Sequence, residues 1–322
     1  MSILVRRSGI LSTIQDLGRP GFRRYGINPG GVMDRTACRL VNLLLGNRES
    51  DAVLEMHFPA AELIFESQCK IAVGGADFAA SLSGAGIENW RTYSADSGSV
   101  LRFDQKRSGN RAYLAVGGGF EVNEWLGSRS TNLSAGIGGS GGGRLMKGDR
   151  IAIADRPWES DHYRRNRSVS PSLIPLYSGF PTLRVITGAE FELLDERSKA
   201  AFTQQEFGLS RNSDRMGFRL KSDPLSMTKP IEMVSTAVSF GTIQLLPGGQ
   251  LILLMADHQT TGGYPRIAHV IERDLPVAAQ LGGHDKVGFH IISLEVAEAL
   301  NFEFERDMAL FRAGCRTREE YQ

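Results

Sequence analysis

Cysteine is scarce in this 322-residue sequence: Cys38, Cys69 and Cys315 are scattered, odd in number and form no C-x-x-C pair. That pattern offers neither a disulfide framework nor a zinc site. Charge of one sign is equally scarce. Thirty-seven Lys and Arg against 36 Asp and Glu leave a formal net charge of +1, which argues against nucleic acid as a partner. Apolar runs are short, Leu251 to Ala256 being among the longest, and fall well below the ~20 residues that a membrane helix requires. The N-terminus "MSILVRRSGILSTIQDLG" reaches Gln15 and Asp16 before an adequate hydrophobic stretch has formed, so it fails as a secretory signal and a cytoplasmic location is expected.

Several catalytic signatures are missing too. The six histidines, at positions 57, 162, 258, 269, 284 and 290, are dispersed. Neither H-E-x-x-H nor G-x-S-x-G occurs, which leaves metalloprotease and serine-esterase chemistry without support, and no metal site is expected. There is no G-x-x-x-x-G-K-[ST], so a nucleotide would not be held by a P-loop of this chain. "GIGGSG" (Gly136 to Gly141) has the letters of a dinucleotide fingerprint, but a strand does not precede it and a helix does not follow. It reads as a Gly-rich surface loop. Met146-Lys147 sits between Gly-bounded turns and reads as a turn lysine, so biotin attachment has no support here.

What remains is a globular composition, 41% hydrophobic and 23% charged, with 37 glycines and many short alternating segments. Arg111 to Val116, Asp149 to Ala154, Leu183 to Thr187 and Gly241 to Pro247 read as strands joined by tight turns. Helices are few. One begins at Asp34, an N-cap, with Ala37, Leu40, Val41 and Leu44 on one face, and ends at Gly46-Asn47. A second starts at Ser293, and shorter turns fit Asp195 to Phe202 and Pro276 to Leu281. The length predicts two domains. The Pro- and Ser-rich stretch 156–181, with a basic cluster at Arg164, Arg165 and Arg167, reads as a linker between domains 1–155 and 182–322. Cys38 falls on the first helix as a small core residue.

Polar residues gather at three places. "STIQDLGRPGFRRYG" sets Gln15, Asp16 and Arg19 in a Gly/Pro turn, and "SRNSDRMGFRL" sets Ser213, Asp214 and Arg215 before Met216-Gly217. "LILLMADHQTTGGYPRIAHVI" interrupts an apolar strand with Asp257, Gln259, Thr260, Thr261, Gly262, Gly263 and Tyr264. Arginine can clamp a carboxylate or phosphate through two parallel hydrogen bonds, glutamine can donate and accept at once, and glycine lets backbone N–H groups approach a ligand. The competing reading is of turns whose side chains cap local backbone. Three such clusters together favour a shared site for a small polar molecule.

With these residues in view, "TIQDLGRPGFRRYGINPGGVMDRTACRLVNLLLGN", "GSRSTNL", "SDRMGFRL" and "LMADHQTTGGYPRIAHVI" resemble the biotin-dependent carboxyltransferase-type family. That family includes the C subunit of bacterial 5-oxoprolinase, proteins labelled allophanate hydrolase subunit 2 and the carboxyltransferase region of urea carboxylase. The resemblance runs from about Gly9 to about Ala299. It implies a mainly β chain of two cyclophilin-like β-barrel domains, and a hetero-complex with a B subunit and an A subunit. The implied activity is ATP-dependent opening of 5-oxoproline to glutamate, with ATP and Mg used by the complex. Two alternatives stay open: a biotin-dependent carboxyltransferase acting on urea or another amide, and a non-catalytic regulatory subunit that binds a kinase-inhibitor-like partner. The chain departs from common family wording at "INPGGVMD" and at His258, where Arg is usual.

A lactam is a poor electrophile, so either route needs an acceptor for the N–H and donors for the carbonyl oxygen. On this reading Asp257 is the base or N–H acceptor, and Gln259 and Thr260 are donors. Arg215, held by Asp214, or Arg19 binds a carboxylate or phosphate, and Gln15 and Asp16 close another wall.

Overall fold

The computed structural model describes residues 1–154, 167–229 and 231–316. The chain forms two compact units, each assembled from separated segments. Unit 1 comprises Met1–Arg19, Gly30–Pro175 and Arg306–Gln322, and unit 2 comprises Pro20–Pro29 and Leu176–Glu305. This differs from the single continuous boundary at 156–181 that the sequence suggests. Residues 155–166, with Arg164 and Arg165, lie outside the described residues, and the chain from Arg167 to Pro175 groups with unit 1. The reason is local: Arg167 and Thr92 exchange backbone and side-chain hydrogen bonds, and the N–H of Val169 donates to the carbonyl of Trp90, so this stretch adds to a sheet edge.

Unit 1 contains two sheets. One has the order β11-β1-β4-β9-β6-β7, with β1 Ser2–Arg7, β4 Glu62–Phe65, β6 Ala80–Leu82, β7 Ala85–Gly86, β9 Val100–Phe103 and β11 Arg150–Ala152. The other has the order β2-β3-β10-β5-β8, with β2 Ser12–Gln15, β3 Val53–His57, β5 Cys69–Asp77, β8 Thr92–Ala95 and β10 Ser108–Val116. Both sheets feed one core: Ile3, Val5, Leu63 and Phe65 from the first meet Leu54, Met56, Ile71 and Leu114 from the second, all fully buried. Helix α1 (Arg35–Leu44) packs on β5 and β10. Asp34 caps it as expected, its Oδ1 accepting from the N–H of Ala37 at 2.8 Å, a contact worth about 1 kcal/mol. Ala37, Leu40, Val41 and Leu44 are buried, and so is Cys38, whose thiol is pushed up by burial first and by Asp16, Asp34 and Glu55 after it.

Unit 2 is built on a closed seven-stranded barrel in the order β12-β19-β16-β17-β14-β13-β20. Its strands are β12 Thr182–Thr187, β13 Phe207–Leu209, β14 Gly217–Lys221, β16 Thr242–Leu245, β17 Leu251–Leu254, β19 Arg266–Val270 and β20 Lys286–Ile291. Alternation places Leu183 and Val185, Phe218 and Leu220, and Val287 and Phe289 inside while their neighbours face out. Phe202 on α2 (Glu196–Gln204) stacks on Phe289 with ring centroids 4.9 Å apart and planes within 11°. A short pair, β15 (Thr236–Ala237) and β18 (Thr261–Gly262), stands apart from the barrel sheet. Helices α3 (Leu275–Ala279) and α4 (Leu294–Arg316) complete four α-helices among the described residues, and α4 runs well past the turn or two that the sequence pattern at Ser293 marks.

The chain is mainly β with few helices, as its sequence indicates. A closed barrel is seen in unit 2; in unit 1 the strands form two sheets over a common core rather than one closed ladder among the described residues.

Candidate functional site

The first polar cluster lies in unit 1, at the end of β2. Asp16 is nearly fully buried and its Oδ1 accepts from Gly18 N–H (2.8 Å), Ser128 Oγ (2.7 Å) and Ser130 Oγ (2.5 Å), while Oδ2 accepts from Arg129 N–H (2.6 Å). Arg19 is fully buried. It donates to the carbonyl of Ser130 at 2.5 Å, with its guanidinium 5.0 Å from the ring centre of Trp125. Gln15 donates through Nε2 to Thr13 Oγ1 (3.0 Å) and to the carbonyl of Thr131 (3.2 Å). The turn "QDLGR" and the segment "GSRST" are thus one bonded unit. The Asp16 carboxylate is turned onto protein donors, as the capping reading of the cluster has it, while the buried Oε1 of Gln15 accepts no hydrogen bond among the described residues.

Glycine serves the same packing. A Cβ at Gly138 would collide with the Ser130 carbonyl, and one at Gly139 with Thr131 Oγ1, so the Gly-rich loop lies directly against the segment that Asp16 holds. Sequence reasoning misses Ser128, Ser130 and Thr131 as partners of Asp16 and Gln15. A buried carboxylate demands donors, and the Ser/Thr-rich "GSRST" is the place to seek them.

The other two clusters come together in unit 2. β14 and β17 pair with Gly217 opposite Leu254, and the ladder continues outward: Met255 N–H donates to the Met216 carbonyl (3.0 Å) and Asp257 N–H to the Arg215 carbonyl (2.8 Å). At this end Arg215 and Asp257 form a fork, Nε to Oδ2 at 2.8 Å and Nη2 to Oδ1 at 3.1 Å, with side chains only 6% and 13% exposed. The expectation that Asp214 holds Arg215 is corrected here. The carboxylate gripping Arg215 is that of Asp257, because the ladder brings positions 215 and 257 side by side. Asp214 turns back on its own chain, accepting from the N–H groups of Met216 (2.8 Å) and Gly217 (3.2 Å), and Ser213 Oγ accepts from Arg219 N–H (3.0 Å).

Beyond the fork the loop is fixed from several sides. His258 is 2% exposed, and its Nδ1 lies 2.6 Å from the carbonyl of Gln259, which makes Nδ1 the protonated nitrogen. Gln244 on β16 donates to the carbonyl of Tyr264 (3.1 Å) and accepts from Gln259 Nε2 (3.5 Å). Gly262 passes over Gln244 so closely that a Cβ would stand 2.7 Å from its Nε2. The segment Pro20–Pro29 also belongs to this unit: Arg23 donates to the carbonyls of Val238 and Thr260, and Asn28 donates to the carbonyl of Asp257 (3.1 Å). Arg23, Asn28 and Gln244 do not stand out from sequence. For Arg23 and Asn28 the signal, an Arg and an Asn inside the Gly/Pro-rich "GFRRYGINPGG", is present but has no partner within reach along the chain.

Few groups of the loop remain free of such contacts. Thr261, Gly263 and Tyr264 are exposed, and the hydroxyls of Thr260 and Thr261 make no hydrogen bond among the described residues. Each of these hydroxyls, like the Gln259 amide, can donate to and accept from a planar amide.

Residues 25–291 match the family model described as carboxyltransferase domain, subdomain A and B. The chain belongs to this family. It is 38% identical to the 5-oxoprolinase C subunit of Haemophilus influenzae over 290 residues, covering 90% of this chain and 91% of that protein. It is 37% identical to the 5-oxoprolinase C subunit of Escherichia coli over 292 residues, with the same shares covered. Similarity extends to larger members of the family: a putative urea carboxylase of Emericella nidulans is 29% identical over 99% of this chain, which spans 26% of that protein. The crystal structure of the K. lactis urea amidolyase superposes with a TM-score of 0.90 at 27% identity, covering 96% of this chain and 20% of the amidolyase chain.

Proposed function

We propose that the chain acts as the C subunit of an ATP-dependent 5-oxoprolinase, which opens the lactam of 5-oxoproline to glutamate together with A-type and B-type subunits, in the cytoplasm. The observation that carries this reading is the share of each relative that is matched. The two 5-oxoprolinase C subunits match over 91% of their own chains, whereas the urea-processing relatives match over 17–26% of theirs.

In this proposal the loop from Asp257 to Tyr264 faces the substrate. The hydroxyls of Thr260 and Thr261 and the Gln259 amide hold the lactam carbonyl and N–H, and the exposed Tyr264 and Gly263 form the rim. Asp257 is read as an N–H acceptor and positioning group rather than as the base, since each of its oxygens already accepts from Arg215. Arg215 sets the angle of that carboxylate, and His258 and Gln244 set the path of the loop. ATP with Mg enters as a co-substrate of the assembled complex and, when bound, supplies the phosphoryl group that makes the lactam carbonyl electrophilic.

Reconstituting the chain with A-type and B-type subunits, and measuring ADP and glutamate formed from 5-oxoproline, tests the reading. Coupled formation of both products that Thr260→Val sharply reduces, with the complex still assembled, supports it. A complex that assembles and yields neither product refutes it. The fit to the urea amidolyase structure favours a second reading, a transferase that carboxylates urea or another amide from carboxybiotin. Avidin-sensitive carboxylation in the same assay would establish that one.

A further inference from the structure

A groove of about 580 Å³ in unit 1, formed where β1, β4 and β9 run side by side, is lined by Arg6, Arg7, Arg102 and Lys147 together with Glu62, Asp104 and Phe103. We infer that this groove binds a di- or triphosphate anion. The inference is independent of the lactam chemistry proposed above.

The strand geometry is the first support. Consecutive side chains of a regular strand point to opposite faces, so Arg6 and Arg7 would ordinarily diverge. Here the register of β1 against β4 shifts between Val5 and Arg7, an irregularity that accompanies the presence of both residues in the lining of one groove.

The floor is the second. Glu62 opens β4, its side chain only 11% exposed, and its Oε1 stands 3.0 Å from Arg6 Nη1 and 3.3 Å from Arg102 Nη2. One buried carboxylate therefore orients two guanidinium groups from the flanking strands while cancelling only one of their charges. Lys147 is brought alongside by its turn, since Gly148 N–H donates to the carbonyl of Val5 and Val5 N–H to that of Asp149. Among the described residues neither Arg7 nor Lys147 has an ion pair or hydrogen bond through its side chain. Four cations against Glu62 and Asp104 leave two net positive charges on the groove.

Guanidinium forks and an ammonium suit phosphate oxygens, and the volume lies in the range of small-molecule sites, about 300–1,000 Å³. Phe103 adds an apolar wall, fixed edge-on against Phe78 with centroids 6.3 Å apart and planes at 86°.

The test is calorimetric titration of the full chain with pyrophosphate, ATP and adenosine at low salt. Saturable binding of pyrophosphate, of ATP or of both, with adenosine silent, is expected, and the two phosphate arms tell a free polyphosphate from a nucleotide. Replacing both Arg7→Ala and Lys147→Ala should weaken binding at least tenfold without moving the thermal unfolding of the ligand-free protein. Arg7→Lys with Lys147→Arg should retain affinity within about threefold. Absence of saturable binding by either phosphate compound, adenosine binding as well as ATP, or undiminished binding by the double-alanine variant would each overturn the assignment.

Discussion

The fork between Arg215 and Asp257 gives the sharpest quantitative expectation. Replacing Asp257 with Ala leaves a guanidinium that is 6% exposed without the carboxylate that accepts two of its hydrogen bonds. Breaking a buried pair by removing one partner costs about 3–5 kcal/mol, and the 13% exposure of Asp257 places this case at the lower end, about 3 kcal/mol. Removing both charges, as in Arg215→Met with Asp257→Ala, should cost about 1 kcal/mol, because no charge is then stranded. A coupling of at least about 2 kcal/mol follows. The pair closes the outer end of the β14–β17 ladder, so hydrogen exchange at Phe218, Leu220 and Leu253 is the direct measurement. A loss of about 3 kcal/mol corresponds to roughly a hundredfold faster exchange for amides that open with this end of the barrel. If Asp257→Ala changes protection by less than about 0.5 kcal/mol, or the double variant is as unstable as the sum of the singles, the fork is not what holds this end together.

Two further expectations rest on other contacts. Asp16→Asn replaces a carboxylate that accepts from four donors with an amide that can match only part of them, so unit 1 should lose about 3 kcal/mol; denaturant unfolding followed by the fluorescence of nearby Trp125 reads it. Glu190 is held below the usual carboxylate range, first by its side-chain hydrogen bonds with Arg266. Its contribution is therefore fully present above the unfolded value of about 4.3 and is lost as pH falls through the lower folded value. Acid unfolding of the wild type below about pH 4 should accordingly be steeper than that of Glu190→Gln, as read by circular dichroism; identical slopes would refute that link.

Much of the local structure is legible in the sequence because near neighbours set it. Asp34 followed by the spacing of Ala37, Leu40, Val41 and Leu44 specifies a capped, buried helix within a dozen residues, and alternation in "TLRVIT", "GFRLK" and "KVGFHI" gives each strand its inner face. Periodicity names a face and not a neighbour. The closure of the barrel depends on Thr182 lying opposite Gly288, a pairing for which the two strands carry no mutual signature.

The candidate site divides along the same line. Its positions stand out because charged and amide side chains beside glycine are unusual next to buried strands, while their roles depend on residues far away in sequence. Asp16 and Arg19 find partners at Ser128 and Ser130, more than a hundred residues further on, and Arg215 looks held by its neighbour Asp214 until the ladder sets Asp257 beside it.

The ten residues Pro20–Pro29 have a consequence for synthesis. Arg23 and Asn28 leave the ribosome early, yet the carbonyls they bond, on Val238 and Asp257, follow 215 and 229 residues later. At ~5–20 residues per second that interval is roughly ten to forty-five seconds, during which the segment has no barrel to join. Unit 2 therefore cannot be completed in the order in which the chain emerges. A fragment beginning at residue 176 would carry every barrel strand but lack the Arg23 donor for the loop that bears Thr260, so strand content alone would overstate how native such a fragment is.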